Sequence, residues 1–299
     1  MFIVKNKKIF ISISIALVVL SFAALLIFGL KIGIDFKGGA LSEVTYKESR
    51  PSQDLLNPSL EALNLGTVLL QPTGDLGYIV KTRDLTDVEH KALLGALSEN
   101  EKNSLTEVSF NSIGPSVGHE LTRKAILAIV LISLAIIAFI AFAFRKVSAQ
   151  VPSWKYGVIA VVTLLHDVTI PVGIFTVLSH YYGVEVDTLF VVAILTILGL
   201  SVSDTIVIFD RIRENLSINS KEDFHNIVGK SLEESYVRSI STSLTVILVL
   251  LALVFFGPST TKYFAIMLTA GMFFGTYSSI FLASPLLVLV QEMQNIKNK

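Results

Sequence analysis

The sequence has 299 residues, of which 52% are apolar and 16% charged, a balance too apolar for a water-soluble globular chain of this length. Lys plus Arg and Asp plus Glu number 24 each, so no basic surplus points to nucleic acid. The absence of cysteine excludes disulfides, thiolate zinc sites and cysteine nucleophiles.

A helix needs about 20 mainly apolar residues to cross the hydrocarbon core of a bilayer. In chain order, Ile9–Leu30, Ala125–Phe144, Tyr156–Leu178, Thr188–Phe209, Ser239–Phe256 and Phe264–Val290 meet that length. The first follows Lys5, Lys7 and Lys8, as a signal peptide would. Its apolar run outlasts the roughly 7–15 residues of a signal h-region, which predicts a retained helix.

Between the first two spans, Gly39–Tyr46 reads as a strand and Ser52–Leu63 as a helix carrying Pro58. Thr67–Gln71 and Tyr78–Thr82 read as strands joined by a turn at Pro72-Thr73-Gly74-Asp75. Thr86–Glu99 predicts a helix with Thr86 as N-cap and Glu89 completing a capping box. Leu105–Phe110 alternates as a last strand. The order βαββαβ predicts a ferredoxin-like α+β domain, an architecture that by itself names no function. The expected organisation is residues 1–32 as N-terminus and first span, 33–119 as that domain, and 120–299 as spans two to six. No repeat relates the first three spans to the last three.

Lys and Arg in short loops set orientation. Lys5, Lys7, Lys8, then Arg145, Lys146, Lys155, then Arg211, Arg213, Lys221, Lys230, Arg238, and finally Lys297 and Lys299 fall on one side. The opposite loops, 179–187 and 257–263, carry only Lys262. Both termini are therefore expected in the cytoplasm, with the 33–119 domain outside.

An ionisable residue within a span costs about 2.5–3.5 kcal/mol at the helix centre and is a functional candidate by default. Asp204 lies about sixteen residues into the fourth span, ~24 Å into a core of ~30 Å. It is either a titrating acid or a polar contact gluing helices, with Ser201 on its face and Gly199 and Ser203 permitting close approach. Arg238, Ser241, Thr242 and Thr245 share one face of the fifth span and are expected to turn toward the bundle or a hydrated path. Arg238 matches Asp204 in depth and would lower the pKa of that acid, whereas burial raises it. It is otherwise a positive-inside anchor. His166 and Asp167 in the third span, with Thr163 and Thr169 within a turn, read equally as a proton relay or a structural pair. Asp210, Arg211 and Arg213 extend the fourth span into the cytoplasm, as a solvated helix end or a partner contact. Gly271 and Gly275 have the spacing of a helix-packing motif. No closed metal cluster, phosphate loop or nucleophile–base pair is visible, so no enzyme activity, metal or cofactor is expected.

Five motifs resemble those of the SecD/SecF family of protein-export membrane proteins. Gly33-Ile-Asp35-Phe-Lys-Gly38-Gly39 is similar to G-x-D-F-x-G-G, and Gly114-Pro115-Ser-Val-Gly118 to G-P-x-V-G. His166-Asp167-Val168 resembles H-D-V, and Arg238-Ser-Ile-Ser-Thr-Ser243 resembles R-T-[IL]-x-T-S. Ser203-Asp204-Thr-Ile-Val-Ile-Phe-Asp210-Arg211-Ile-Arg213-Glu-Asn215 is similar to N-D-[ST]-[IV]-V-V-x-D-R-I-R-E-N, with Ser203 in place of the usual Asn. The resemblance implies a half-sized member of the RND superfamily in the bacterial cytoplasmic membrane, pairing with the homologous SecD. It further implies assistance to the SecYEG channel and its SecA motor on a translocating polypeptide, with protons as the coupling ion, Asp204 as the pathway acid and Arg238 beside it. The alternatives are a small-molecule or lipid permease of the same superfamily and a proton-inert scaffold of the translocon.

Overall fold

Backbone N–H and C=O groups find no water inside a bilayer, so apolar runs close their hydrogen bonds within helices. A computed structural model describes residues 2–99, 103–143, 152–218 and 222–297. Arg145, Lys146, Lys221 and Lys299, used above for orientation, lie outside the described residues. In chain order the elements begin with α1 (Phe2–Lys5), α2 (Lys7–Phe28), α3 (Ile34–Lys37), β1 (Gly39–Tyr46) and α4 (Gln53–Glu61). Next come β2 (Leu69–Thr73), β3 (Gly77–Thr82), α5 (Asp87–Leu97), β4 (Leu105–Ile113) and α6 (Pro115–Ala143). The rest is helical: α7 (Ser153–Tyr182), α8 (Thr188–Ile218), α9 (Phe224–Phe256), α10 (Ser259–Ser278), a π turn (Ser279–Ala283) and α11 (Ser284–Lys297). Residues Ile32–Ile126 form one unit, and Met1–Lys31 with Leu127–Lys299 form the other.

The smaller unit is a four-stranded antiparallel sheet in the order β2-β3-β1-β4, with α4 and α5 in its connections. Alternation along β1 turns Ala40, Ser42, Val44 and Tyr46 to the buried face. Val44 and Tyr46 join Leu56 and Leu60 of α4 and Leu93 and Leu97 of α5 in one core. The Tyr46 hydroxyl donates to the Leu97 carbonyl at 2.9 Å, and burial pushes its pKa up to about 12. The capping box forms: Thr86 Oγ1 accepts from Glu89 N–H while the Glu89 carboxylate accepts from Thr86 N–H.

Two strands end later than the sequence reading places them. β2 takes in Pro72 and Thr73, so the turn moves to Gly74, whose φ of +53° suits glycine. β2 is an edge strand, where a proline without an N–H is tolerated. β4 runs on to Ile113 after a register shift opposite Glu43 and Val44, which turns Phe110 and Ser112 toward the same side as Glu107.

Among the described residues, six helices are long and apolar enough to cross a membrane, and together, with the start of α6 in the smaller unit, they make up the larger one. α7, α8 and α10–α11 are its buried centre, while α2, α6 and α9 present most of their residues outward. Small residues set the crossings. A Cβ on Gly173 would lie 2.5 Å from Ser21 Cβ, and one on Gly271 would lie 2.3 Å from Ile197 Cγ1. The last span is not one regular helix, as its composition predicts, but is broken by the π turn. Hydroxyls stabilise the break: Ser279 Oγ bonds Thr205 Oγ1 at 2.9 Å, and Ser284 Oγ reaches the Ser279 carbonyl at 3.5 Å. Further along α11, Glu292 gathers Lys7 (2.5 Å) and His225 (2.6 Å), joining α2, α9 and α11.

The Glu89 carboxylate, hydrogen-bonded first by the Arg83 guanidinium and then by Thr86, titrates at about 2 rather than 4.5. Its folded pKa is depressed, so its stabilisation is present above pH 4.5 and lost as pH falls toward about 2. A fragment of residues 34–118 should therefore lose denaturant resistance across that window, and Glu89→Gln should flatten that part of the profile.

Candidate functional site

The polar side chains of the larger unit converge from four helices. α7 contributes His166 and Asp167, α8 contributes Ser201 and Asp204, α9 contributes Ser243, and α10 contributes Thr276, Tyr277 and Ser278. Asp167 is fully buried. One carboxylate oxygen bonds His166 Nδ1 at 2.8 Å. The other accepts from Ser201 Oγ and from Ser278 Oγ at 2.7 Å. Pro171, one turn on, has no N–H to give the Asp167 carbonyl.

Asp204 is held differently. It is half-buried, and one oxygen accepts from Ser243 Oγ and Thr276 Oγ1, both at 3.3 Å. Those hydroxyls also lie 2.5 Å from each other, and Thr276 Oγ1 is 2.9 Å from the Met272 carbonyl. A hydroxyl carries one proton, so Thr276 can serve only one of these acceptors at a time. The hold on Asp204 is long and falls on one oxygen, whereas Asp167 is bonded on both oxygens at shorter distances, although Ser278 Oγ also lies 3.0 Å from the Gly275 carbonyl.

Ser201, expected beside Asp204, serves Asp167 instead. No ion pair joins Asp204 to Arg238 among the described residues, and Arg238 is exposed. Ser241, Thr242 and Thr245 are exposed with it, so this stripe does not pack against the other helices of this chain. The inward face of α9 is Ser235, Ser239 and Ser243, offset along the same helix. These serines bury little volume and let α9 approach its neighbours, so packing favours them inward over the bulkier stripe. Gly275 lies against α8, where a Cβ would stand 3.3 Å from Ser201 Cβ.

The charged end of α8 continues the helix to Ile218, as expected. Asp210 pairs with Arg213 at 3.4 Å. Arg211 pairs with Glu214 at 2.6 Å and with Glu234 of α9 at 2.7 Å. Asn215 donates to Glu234 and to Ser231, completing a clasp between α8 and α9.

The glycine motifs meet within the smaller unit. Gly38 has φ of +79°, and a Cβ there would lie 2.9 Å from Pro115 Cα. A Cβ on Gly118 would lie 2.9 Å from Gly38 N, and Thr122 Oγ1 reaches the Phe36 carbonyl at 3.4 Å. Gly39 is also in a glycine-favoring conformation, at φ of +138°. Asp35 sits in the first turn of α3 beside this crossing. The motifs around Asp35 and around Gly114 and Pro115 are thus two sides of one close backbone contact.

Sequence reasoning did not single out Thr276 or Tyr277. A threonine and tyrosine beside Ser278 and Ser279, one turn past Gly271-x-x-x-Gly275, were the available signal. No group of three or more metal-ligating side chains occurs among the described residues.

Residues 94–293 match the family described as "Protein export membrane protein SecD/SecF, C-terminal". The Protein translocase subunit SecF of Thermobaculum terrenum is 41% identical, over 96% of this chain and 92% of the relative. The chain belongs to the SecD/SecF family. Another relative, the SecF subunit of Anaerolinea thermophila, is 36% identical over 96% of this chain and 93% of its own length. The crystal structure of SecDF from Thermus thermophilus, a translocon-associated membrane protein, superposes with a TM-score of 0.81 at 28% identity. It covers 99% of this chain, which spans 38% of that longer SecDF chain. A second SecDF structure, in a super-membrane-facing form, gives a TM-score of 0.69 at 29% identity. Within the SecD/SecF family the match lies with SecF subunits over nearly their full length.

Gly38→Ala should destabilise the 34–118 fragment by about 1–3 kcal/mol, from a left-handed backbone and a clash with Pro115. Gly114→Ala, with open space around its Cβ, should cost less than about 0.5 kcal/mol. Equal losses in denaturant titrations would contradict the close-contact account.

Proposed function

We propose that the chain works as the SecF partner of a SecD subunit, assisting the SecYEG channel and SecA in late polypeptide translocation with protons as the coupling ion. The observation that carries this reading is the loose, shared hydroxyl hold on Asp204. A carboxylate with two 3.3 Å contacts and partial exposure can gain or lose a proton without dismantling the helix packing. Asp167 is bonded from three helices, and breaking that set would leave a buried acid unsatisfied. Asp167 and His166 thus serve as the fixed support, and Asp204 as the exchanging group. That division also gives the scaffold reading its one foothold, since the Asp167 network is structural.

Arg238 acts at a distance in this reading, biasing the charge on Asp204 when the partner subunit covers its exposed face. The smaller unit is a ferredoxin-like module on the outer side, with both termini in the cytoplasm. The loop asymmetry of Lys and Arg supports this orientation. Protein export here needs no enzyme chemistry in this chain and no cofactor.

Asp204→Asn keeps shape and hydrogen bonding but cannot ionise. At wild-type abundance and with SecD bound, it should lower proton flux and proton-driven export about tenfold or more. Full export and full flux would leave the scaffold reading in place. Arg238→Lys keeps the charge and should be impaired less than Arg238→Met in the same assay. Protease outside right-side-out vesicles should cut within residues 33–119. Protection there with cleavage near Arg211 would reverse the orientation.

A further inference from the structure

Three consecutive residues of α10 each touch a different member of the polar cluster. Thr276 approaches Asp204, Ser278 donates to Asp167, and between them Tyr277 lies over His166. The His166 and Tyr277 rings are near parallel, 20° apart with centroids 6.3 Å apart. Tyr277 also stacks on Phe281 of the π turn, at 5.2 Å.

His166 is 4% exposed, and its Nδ1 is committed to Asp167. Its Nε2 and the Tyr277 hydroxyl are both sealed from solvent and have no hydrogen-bond partner among the described residues. A buried polar atom left unpaired forfeits its hydration without replacement, so two at one ring pair are a large local penalty. A water bonded to both removes it, and buried waters occur where two to four polar groups converge. The facing titratable groups are Asp167 on α7, Asp204 on α8 and Tyr277 on α10. The remaining polar neighbours, Ser201, Ser243, Thr276 and Ser278, bond the two carboxylates, each other, or carbonyls of their own helix.

We propose that His166 Nε2 and the Tyr277 hydroxyl hold an internal water, making Tyr277 a positioning residue that extends the Asp167 hydrogen-bond chain to the π turn. The imidazole transmits through its two nitrogens: Nδ1 to the carboxylate, Nε2 to the water. The water site rests on the burial and unpartnered state of these two neighbouring groups, while its part in proton movement rests on the relay reading above. The π turn gives it a way to respond. A shift of that turn into regular helix would rotate one side of α10–α11 against the other and alter the Tyr277–Phe281 contact.

The full chain, labelled with ¹⁵N-histidine in lipid bilayers, tests this by solid-state NMR transfer from water protons to nitrogen. His166→Gln identifies the His166 signals among the five histidines. A water contact at His166 Nε2 is expected in the wild type. It should be lost in Tyr277→Phe, which keeps the ring and removes the hydroxyl. An unchanged Nδ1 signal in that variant would report an intact His166–Asp167 pair. No water contact in the wild type, or one that persists undiminished in Tyr277→Phe, overturns the proposal. Failure of the relay is separable, because full proton flux in Asp204→Asn would leave this water contact in place.

Discussion

A carboxylate inside a bilayer must find its donors within the bundle, because lipid tails have none to give. Asp167 meets that demand with His166 on its own helix, Ser201 on α8 and Ser278 on α10. Three helices must therefore sit at fixed distance and rotation about one side chain. Gly271 and Gly275 permit the approach, since side chains in their place would collide with Ile197 or crowd Ser201. Lipid supplies no hydrophobic drive for helix association, so this polar lock and the small-residue contacts around it define the centre of the bundle.

Asp204 depends on that centre without belonging to it. Its partners, Ser243 and Thr276, come from α9 and α10, and each hydroxyl has more acceptors in reach than protons to give. One acid is thus fixed and the other is free to change partners, although Ser278 and Thr276, which hold them, are near neighbours on α10. The π turn begins immediately after this stretch, where altered helix register is often found beside functional groups. On the proposed reading, the tight site keeps geometry while the loose site changes charge.

The spans were legible because an apolar run of about 20 residues matches the thickness of a bilayer core and is hard to bury in a water-soluble fold. The Thr86–Glu89 capping box was legible because its spacing is specific. The order of strands and helices in the smaller unit followed from alternation and turn residues. The edge placement of Pro72 did not, since it depends on which strand ends the sheet. Asp204, Asp167 and His166 stood out as polar groups among apolar neighbours. Their partners did not, because serine and threonine are common in membrane helices and only tertiary contact selects Ser243, Thr276 and Ser278. Which face of α9 packs against this chain's other helices was not legible for a related reason. Ser235, Ser239 and Ser243 compete with Arg238, Ser241, Thr242 and Thr245 on one helix, and periodicity alone cannot say which stripe turns inward. The π turn leaves no mark in composition at all.

The central claim is that Asp204 changes protonation while Asp167 does not. Isotope-edited infrared difference spectra of the subunit assembled with SecD, with aspartate carboxyls labelled, read this directly as a proton gradient is imposed and collapsed. The account predicts a carboxyl band that rises and falls with the gradient, disappears in Asp204→Asn and survives Ser278→Ala. A gradient-driven band that persists in Asp204→Asn, or none at all while export proceeds, would contradict it.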